Sequence, residues 1–357
     1  MLMKKRFLSI VFIVIMMFNC ISVGASEIND EITLNDESIE FSVEGLLDDI
    51  DSITIKNSIT INGEKNNLYP TFDNPQEAIR KISDKESDFL KEIALKYSLS
   101  ELSDENWNKY YSAISNYLCG NEYKDDRYIM LVFLSIYESQ SYNDKILDVI
   151  SRKSEDMYDE LALLMPYNSP YCINYYSEYN EIMELENFDK EAAIEYAIKY
   201  ATNPNYEEYG YIQGGDDGMD CTNFASQILE NGGYSQKGGI STNIGWWHKV
   251  SGNTHTYSRA WAAANNFVKY MGINYVTNSH FDFSRKLQPG DFIALDYSDQ
   301  GRWNHIGFVT KVDSYVGDYG YYDYCVAQHS SDYHMWASYE NNHWDTEDVT
   351  RYGVIRK

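Results

Sequence analysis

Basic charge is what this chain has least of: 29 Lys and Arg stand against 55 Asp and Glu in 357 residues, a formal net charge of −26. Binding phosphate backbones needs a basic patch, so the balance argues against nucleic acid as a partner and for free diffusion and solubility. Cysteines number five, and no two form a CxxC pair, which speaks against a zinc ribbon and against a dense disulfide scaffold. Beyond Phe7–Phe18 no second long apolar run occurs, so no stable membrane anchor is expected. The Gly- and Asp-rich stretch Gly214-Gly215-Asp216-Asp217-Gly218 has neither calcium-loop nor P-loop spacing, and nothing else in the sequence asks for a cofactor or a metal.

The first 26 residues read as an export signal: Lys4, Lys5 and Arg6, the apolar run, then small residues at Val23-Gly24-Ala25-Ser26. The expected product is secreted. Its removal would take three of the 29 basic residues and no acidic ones, leaving 26 against 55, or −29. Four cysteines would remain, Cys119, Cys172, Cys221 and Cys325. Export permits a bridge, with Cys119–Cys172 first among the pairings, though spacing does not establish it.

A hydrophobic content of 43% is ample for packed cores, and the length suggests two domains. Residues 27–186 read as a helix-rich domain of unknown purpose. Ser52 to Thr60 alternates like a strand, with a turn at Asn62-Gly63. Helical stripes follow at Phe89, Ile93 and Tyr97, then at Tyr110, Ile114 and Tyr117, and Met130 to Leu134 suits a buried helix centre. Near Asn187 the pattern shifts. Phe188-Asp189 resembles a staple and N-cap for a helix burying Ala193, Tyr196 and Ala197. Ser258 is expected to cap a helix through Tyr270. From Leu287 the period is that of strands: Phe292 to Tyr297, then His305 to Val312, then Tyr324 to His329.

The chemistry centres on Met219-Asp220-Cys221-Thr222-Asn223-Phe224-Ala225-Ser226-Gln227. Asp220 is placed to N-cap a helix whose apolar stripe is Phe224, Ala225, Ile228 and Leu229, with Cys221 facing outward in the first turn. The positive end of the helix dipole favours a thiolate there, whereas the adjacent carboxylate opposes it, so an imidazole is required. His305, at a strand mouth, supplies one. A polar residue on the following strand would orient it, which is the logic of a cysteine hydrolase triad. Trp246 and Trp247, in a Gly-rich loop, and Asn304 are candidates for a substrate cleft.

Residues 188–357 resemble the putative amidase domain family of exported bacterial proteins, related to the NlpC-type cell-wall peptidases and the papain-like fold. The resemblance rests on Asp189 with Ala192-Ala193 and Tyr196-Ala197, Asn203-Pro204, the Asp220 to Gln227 motif, Trp247, Ser258 with Trp261, Gly290-Asp291, Asn304-His305-Ile306-Gly307 and His329-Ser330-Ser331-Asp332. It implies an α+β fold, with helices packed on an antiparallel sheet over 187–357 behind the mostly helical first domain. It also implies Cys221 as nucleophile, His305 as base and His329 as third member, with Asp332, Gln328 and Asp220 as supporting or alternative residues. The expected reaction is amide hydrolysis through a thioester, with peptidoglycan stem peptide as substrate. Two other readings compete: a zinc site built from His305, His329, Asp332 or His334, and a non-catalytic wall-binding protein with a vestigial triad. Oligomeric state is not legible.

Overall fold

The computed structural model describes residues 32–43, 46–117, 124–183, 188–214, 219–238, 242–243, 245–339, 342, 344 and 351–357. The expected export signal and Cys119 lie outside these residues. Among the described residues, no helix is long and apolar enough to cross a membrane.

The first segment opens with strands β1 (Thr33–Glu40), β2 (Ile53–Ile61), β3 (Glu64–Asn67) and β4 (Thr71–Phe72) in one antiparallel sheet. Asn62 and Gly63, at φ 53° and 81°, form the tight turn between β2 and β3, where two left-handed residues match the strand twist. Helices α1 (Pro75–Lys85), α2 (Ser87–Tyr97), α3 (Trp107–Asn116), α4 (Lys124–Arg152), α5 (Met157–Leu164) and α6 (Pro170–Met183) follow. Asn74 Oδ1 caps α1 by accepting from the Glu77 amide at 3.2 Å, with Pro75 at the first helical position, where its missing N–H costs nothing. Met130 to Leu134 are fully buried in α4, as their run of apolar residues requires.

The second segment holds α7 (Lys190–Tyr200), α8 (Tyr206–Tyr209), α9 (Asp220–Asn231), the short hairpins β5 (Lys237–Gly238) with β6 (Gly245–Trp246) and β7 (His248–Ser251) with β8 (Thr254–Tyr257), then α10 (Arg259–Ala262) and α11 (Ala264–Met271). Asp189 caps α7, its Oδ1 accepting from the Ala192 amide at 3.0 Å. Ser258 caps only the four residues of α10, because Ala263 is extended (φ −111°, ψ 125°) and breaks the helix expected to run through Tyr270. After β9 (Tyr275–Thr277) and α12 (His280–Ser284) come β10 (Phe292–Asp296), β11 (His305–Val316), β12 (Tyr322–Gln328), β13 (Tyr333–Trp336) and β14 (Arg351–Ile355). These form a six-stranded antiparallel sheet ordered β13-β12-β11-β10-β14-β9.

Period-two alternation divides this sheet between two cores. Phe292, Ala294, Ile306, Phe308, Ala327 and Ile355 join the α7, α9 and α11 residues Ala193, Phe224, Ile228 and Phe267. Ile293, Leu295, Val309, Val326, Tyr352 and Val354 join Phe72, Ile114 and Met130 to Leu134 from the first segment. Both faces are therefore covered, which is why β10 is buried at every position. The first segment is one wall of that sheet, in a mixed α+β molecule. Polar contacts continue the interface. Lys269 Nζ donates to the carbonyls of Ala162 (3.1 Å), Leu163 (3.2 Å) and Met165 (2.5 Å), satisfying the C-terminal end of α5 from α11. Arg302 pairs with Glu138 and donates to the Ser135 carbonyl at 2.9 Å. Cys172 is a free buried thiol, 3.4 Å from the Ala162 carbonyl, and Cys119, its suggested partner, lies outside the described residues.

Candidate active site

The Asp220 to Gln227 motif begins α9, but Asp220 is not its cap: Met219 holds that position, with no side-chain cap. The Asp220 carboxylate is drawn instead into tertiary bonds, because it is buried and needs donors. Oδ1 accepts from the Ile212 amide (3.3 Å) and Asn223 Nδ2 (3.0 Å), and Oδ2 accepts from the Tyr206 hydroxyl (3.3 Å) and faces His329 Nδ1 at 2.8 Å. The other polar residues of the motif are also structural. Asn223 Oδ1 accepts from Trp261 Nε1 at 3.0 Å, Ser226 Oγ accepts from Trp246 Nε1 at 2.9 Å, and Gln227 Oε1 accepts from the Tyr196 hydroxyl at 3.0 Å. These bonds fix α9 against its neighbours and so fix Cys221 in space. The positioning roles of Asn223, Ser226 and Gln227 went unread in the sequence, although their spacing of three and four along one helix was a visible signal.

Cys221 is buried (1% exposed) rather than facing outward, with the backbone of Ile306 against its sulfur. Burial raises its thiol pKa. The backbone of Ile306 and the Thr222 hydroxyl, 3.6 Å from Sγ, oppose the rise, and Asp220 adds to it. The bond to Ile306 places the sulfur beside the first residues of β11. His305 is the first of them, opposite Leu295 on β10.

The His305 ring is 2% exposed, and its Nε2 lies 3.0 Å from Gln328 Oε1 at the end of β12. Donor chemistry settles which proton sits where. Trp344 Nε1, which only donates, gives a 2.6 Å bond to the same Oε1, while Gln328 Nε2 donates to the carbonyls of Ser330 (3.2 Å) and Ser331 (3.5 Å). Oε1 is therefore an acceptor, and His305 Nε2 must carry the hydrogen. In the neutral ring the basic nitrogen is then Nδ1. Burial pushes the His305 pKa down to about 4, with the Gln328 bond resisting and Arg127 assisting the fall, so the ring is neutral at pH 7. Ser330 and Ser331 at φ 59° and 76° bend the chain back to offer those two carbonyls, and Ser331 Oγ is tied to the Ser115 carbonyl of the first segment at 3.0 Å. Gly307 leaves room for the Trp344 indole, because a Cβ there would lie 2.7 Å from Trp344 Cζ2 and 2.9 Å from Val326 Cγ1.

His329, expected to orient His305, lies on the opposite face of the sheet. Val309 pairs with Val326, so Gln328 shares the His305 side and His329 shares that of Phe308. Its ring stacks on Phe224 (3.9 Å, 4°), with Nδ1 at 2.8 Å from Asp220 Oδ2 and Nε2 at 3.1 Å from the Tyr200 carbonyl. Both nitrogens face oxygen atoms, so the ring is fully engaged in holding Asp220 and the end of α7 rather than in orienting His305. Asp332 is exposed, and Asp220, His329 and Asp332 offer ligand atoms within 4.8 Å of one another. The envisaged zinc set is not assembled around them, since His305 lies with Gln328, and His334 Nε2 bonds Thr310 Oγ1 at 2.8 Å and Cys325 Sγ at 3.2 Å.

Of the cleft candidates, Trp246 is core, stacked on Trp261 at 4.8 Å, and Trp247 is buried with Lys249 over its ring. Asn304 does line a cavity of about 170 Å³. Met219, two residues before Cys221, and Asn304, one before His305, line it together with Trp107, Tyr111, Glu138 and Tyr142 of the first segment.

No solved structure matches the chain at a significant level. An uncharacterized protein, YhbB, of Bacillus subtilis (strain 168) is 31% identical over 133 residues, which cover 35% of this chain and 38% of that relative. The aligned part thus spans well under two thirds of either protein. Residues 187–352 match the family described as a putative amidase domain, and over that part the chain's similarity to this amidase-domain family supports amidase-type hydrolysis.

Proposed function

We propose that this protein is a secreted cysteine-dependent amidase or peptidase of the NlpC and papain-like type, acting on peptide amides of the bacterial cell wall. The observation that carries the reading is the bond between Gln328 Oε1 and His305 Nε2, which leaves Nδ1 as the base on a residue adjoining the Cys221 contact. Because both thiol and imidazole are buried and neutral, ionisation accompanies attack rather than preceding it. His305 Nδ1 takes the thiol proton as Sγ bonds to the amide carbonyl carbon, and the carbonyl oxygen becomes an oxyanion. The Cys221 amide N–H, at the start of α9, is suited to hold that charge. His305 then gives the proton to the leaving amine as the C–N bond breaks, leaving a thioester on Cys221. Water, deprotonated by His305, adds to the thioester. Collapse returns the sulfur to its thiol and releases the carboxylic acid.

The test is incubation with purified peptidoglycan fragments and mass spectrometry of the products, comparing the parent with Cys221→Ser. Loss of every product in the variant supports the reading, and equal products in both defeat it. One observation favours a non-catalytic wall-binding protein instead: Cys221 and His305 are both closed off from solvent. That alternative requires wall binding that survives Cys221→Ala, with no thiol labelling of Cys221 in the parent.

A further inference from the structure

The cavity beside Met219 and Asn304 has an unbalanced wall. Asn265 Nδ2, Arg302 Nε and Trp303 Nε1 are buried N–H donors with no hydrogen-bond partner, and all three residues line it. Their exposures are 4%, 4% and 2%, so solvent does not compensate them. Stranding a buried donor costs about 1–3 kcal/mol, and three at one cavity is a concentration that asks for an acceptor. The one carboxylate in the lining, Glu138, is already neutralised by Arg302. The rest of the lining mixes Trp107, Tyr111 and Tyr142 with small and amide side chains, and a space of about 170 Å³ is close to that of cavities that accept a single ring-sized group.

We propose that this cavity is a substrate subsite for one residue bearing a carboxylate, held by Asn265, Arg302 and Trp303 and enclosed by helices α3 and α4 of the first segment. The inference rests on the amidase reading for its connection to Cys221, and it assigns the first segment a part in specificity: Trp107, Tyr111 and Tyr142 shape the space that the carboxylate-bearing residue fills. Charged acceptors gain more from such donors than neutral ones do, so selectivity for carboxylate over carboxamide is the signature.

The experiment is a ligand-observed NMR titration of the full-length protein with N-acetyl-alanine and, in parallel, N-acetyl-alaninamide. The expected result is binding of the acid at least about tenfold tighter than the amide. That preference should be lost in Asn265→Leu, and binding should be abolished in Ser141→Trp, which fills the cavity from α4. Equal affinity for the two probes, or no binding of either to the parent, overturns the proposal even if Asn265→Leu does not fold. Binding needs no turnover, so a carboxylate preference found together with equal products from peptidoglycan fragments in the parent and Cys221→Ser would defeat the amidase reading and leave the subsite standing.

Discussion

Gln328→Ala is the perturbation that separates the present site from the one suggested by sequence. The Gln328 side chain accepts at one oxygen from Trp344 Nε1 (2.6 Å) and His305 Nε2 (3.0 Å), and its own amide donates to Ser330 and Ser331. Truncation strands two buried donors at about 1–3 kcal/mol each and releases the constraint that keeps hydrogen on Nε2. Stability should fall by a few kcal/mol. Beyond that, kcat should fall on the order of 10²-fold with little change in KM, because the base no longer presents Nδ1 to the thiol. His329→Gln should behave differently. Removing the ring takes a hydrogen-bond partner from buried Asp220, a loss of about 1–3 kcal/mol, yet the protein that remains folded should keep the parent's pH–rate profile, since His305 is untouched. Steady-state kinetics on cell-wall fragments, normalised to folded protein by circular dichroism, measure both. Parent-level kcat in Gln328→Ala, with kcat abolished in well-folded His329→Gln, would refute the assignment.

Acid should weaken the fold through His305. Its pKa falls from the ordinary 6.5 to about 4 in the native state, so below pH 6.5 the unfolded chain binds the extra proton. The stability present above pH 6.5 is then lost progressively down to about 4, by about 3 kcal/mol in total. Urea titrations of the parent and His305→Gln should diverge less at pH 4.5 than at pH 7.5, and a constant difference would contradict this. Lys269→Ala should cost about 1–3 kcal/mol by stranding the carbonyls of Ala162, Leu163 and Met165. Because the two segments share a core, circular dichroism and tryptophan fluorescence should report a single coincident unfolding transition in the parent, and two separated transitions would disprove that sharing. Gly307→Ala should push Trp344 off Gln328, costing about 1–3 kcal/mol and lowering kcat, as measured by the same kinetics.

The helix bearing Cys221, the strand opened by His305 and the next strand were legible because apolar periodicity is local. What failed was non-local. Asp220 looked like a cap because competition from His329 and Tyr206 comes from distant elements. Cys221 looked exposed because nothing in its own helix shows that β11 packs against its first turn. The partner of His305 turned on strand register, where one residue changes the face: with Val309 opposite Val326, Gln328 and not its neighbour His329 shares the His305 side. The helix-rich reading of residues 27–186 caught Met130 to Leu134 as core, yet the partner of that core, the sheet of the second segment, had no signature in the run itself.

The most direct test of the account is rapid-quench mass spectrometry of the enzyme during turnover of peptidoglycan fragments. The account predicts a hydroxylamine-labile acyl adduct mapped to the peptide containing Cys221, absent in Cys221→Ser. Undiminished product release by Cys221→Ser, with no adduct on the parent's Cys221 at any time, would contradict it.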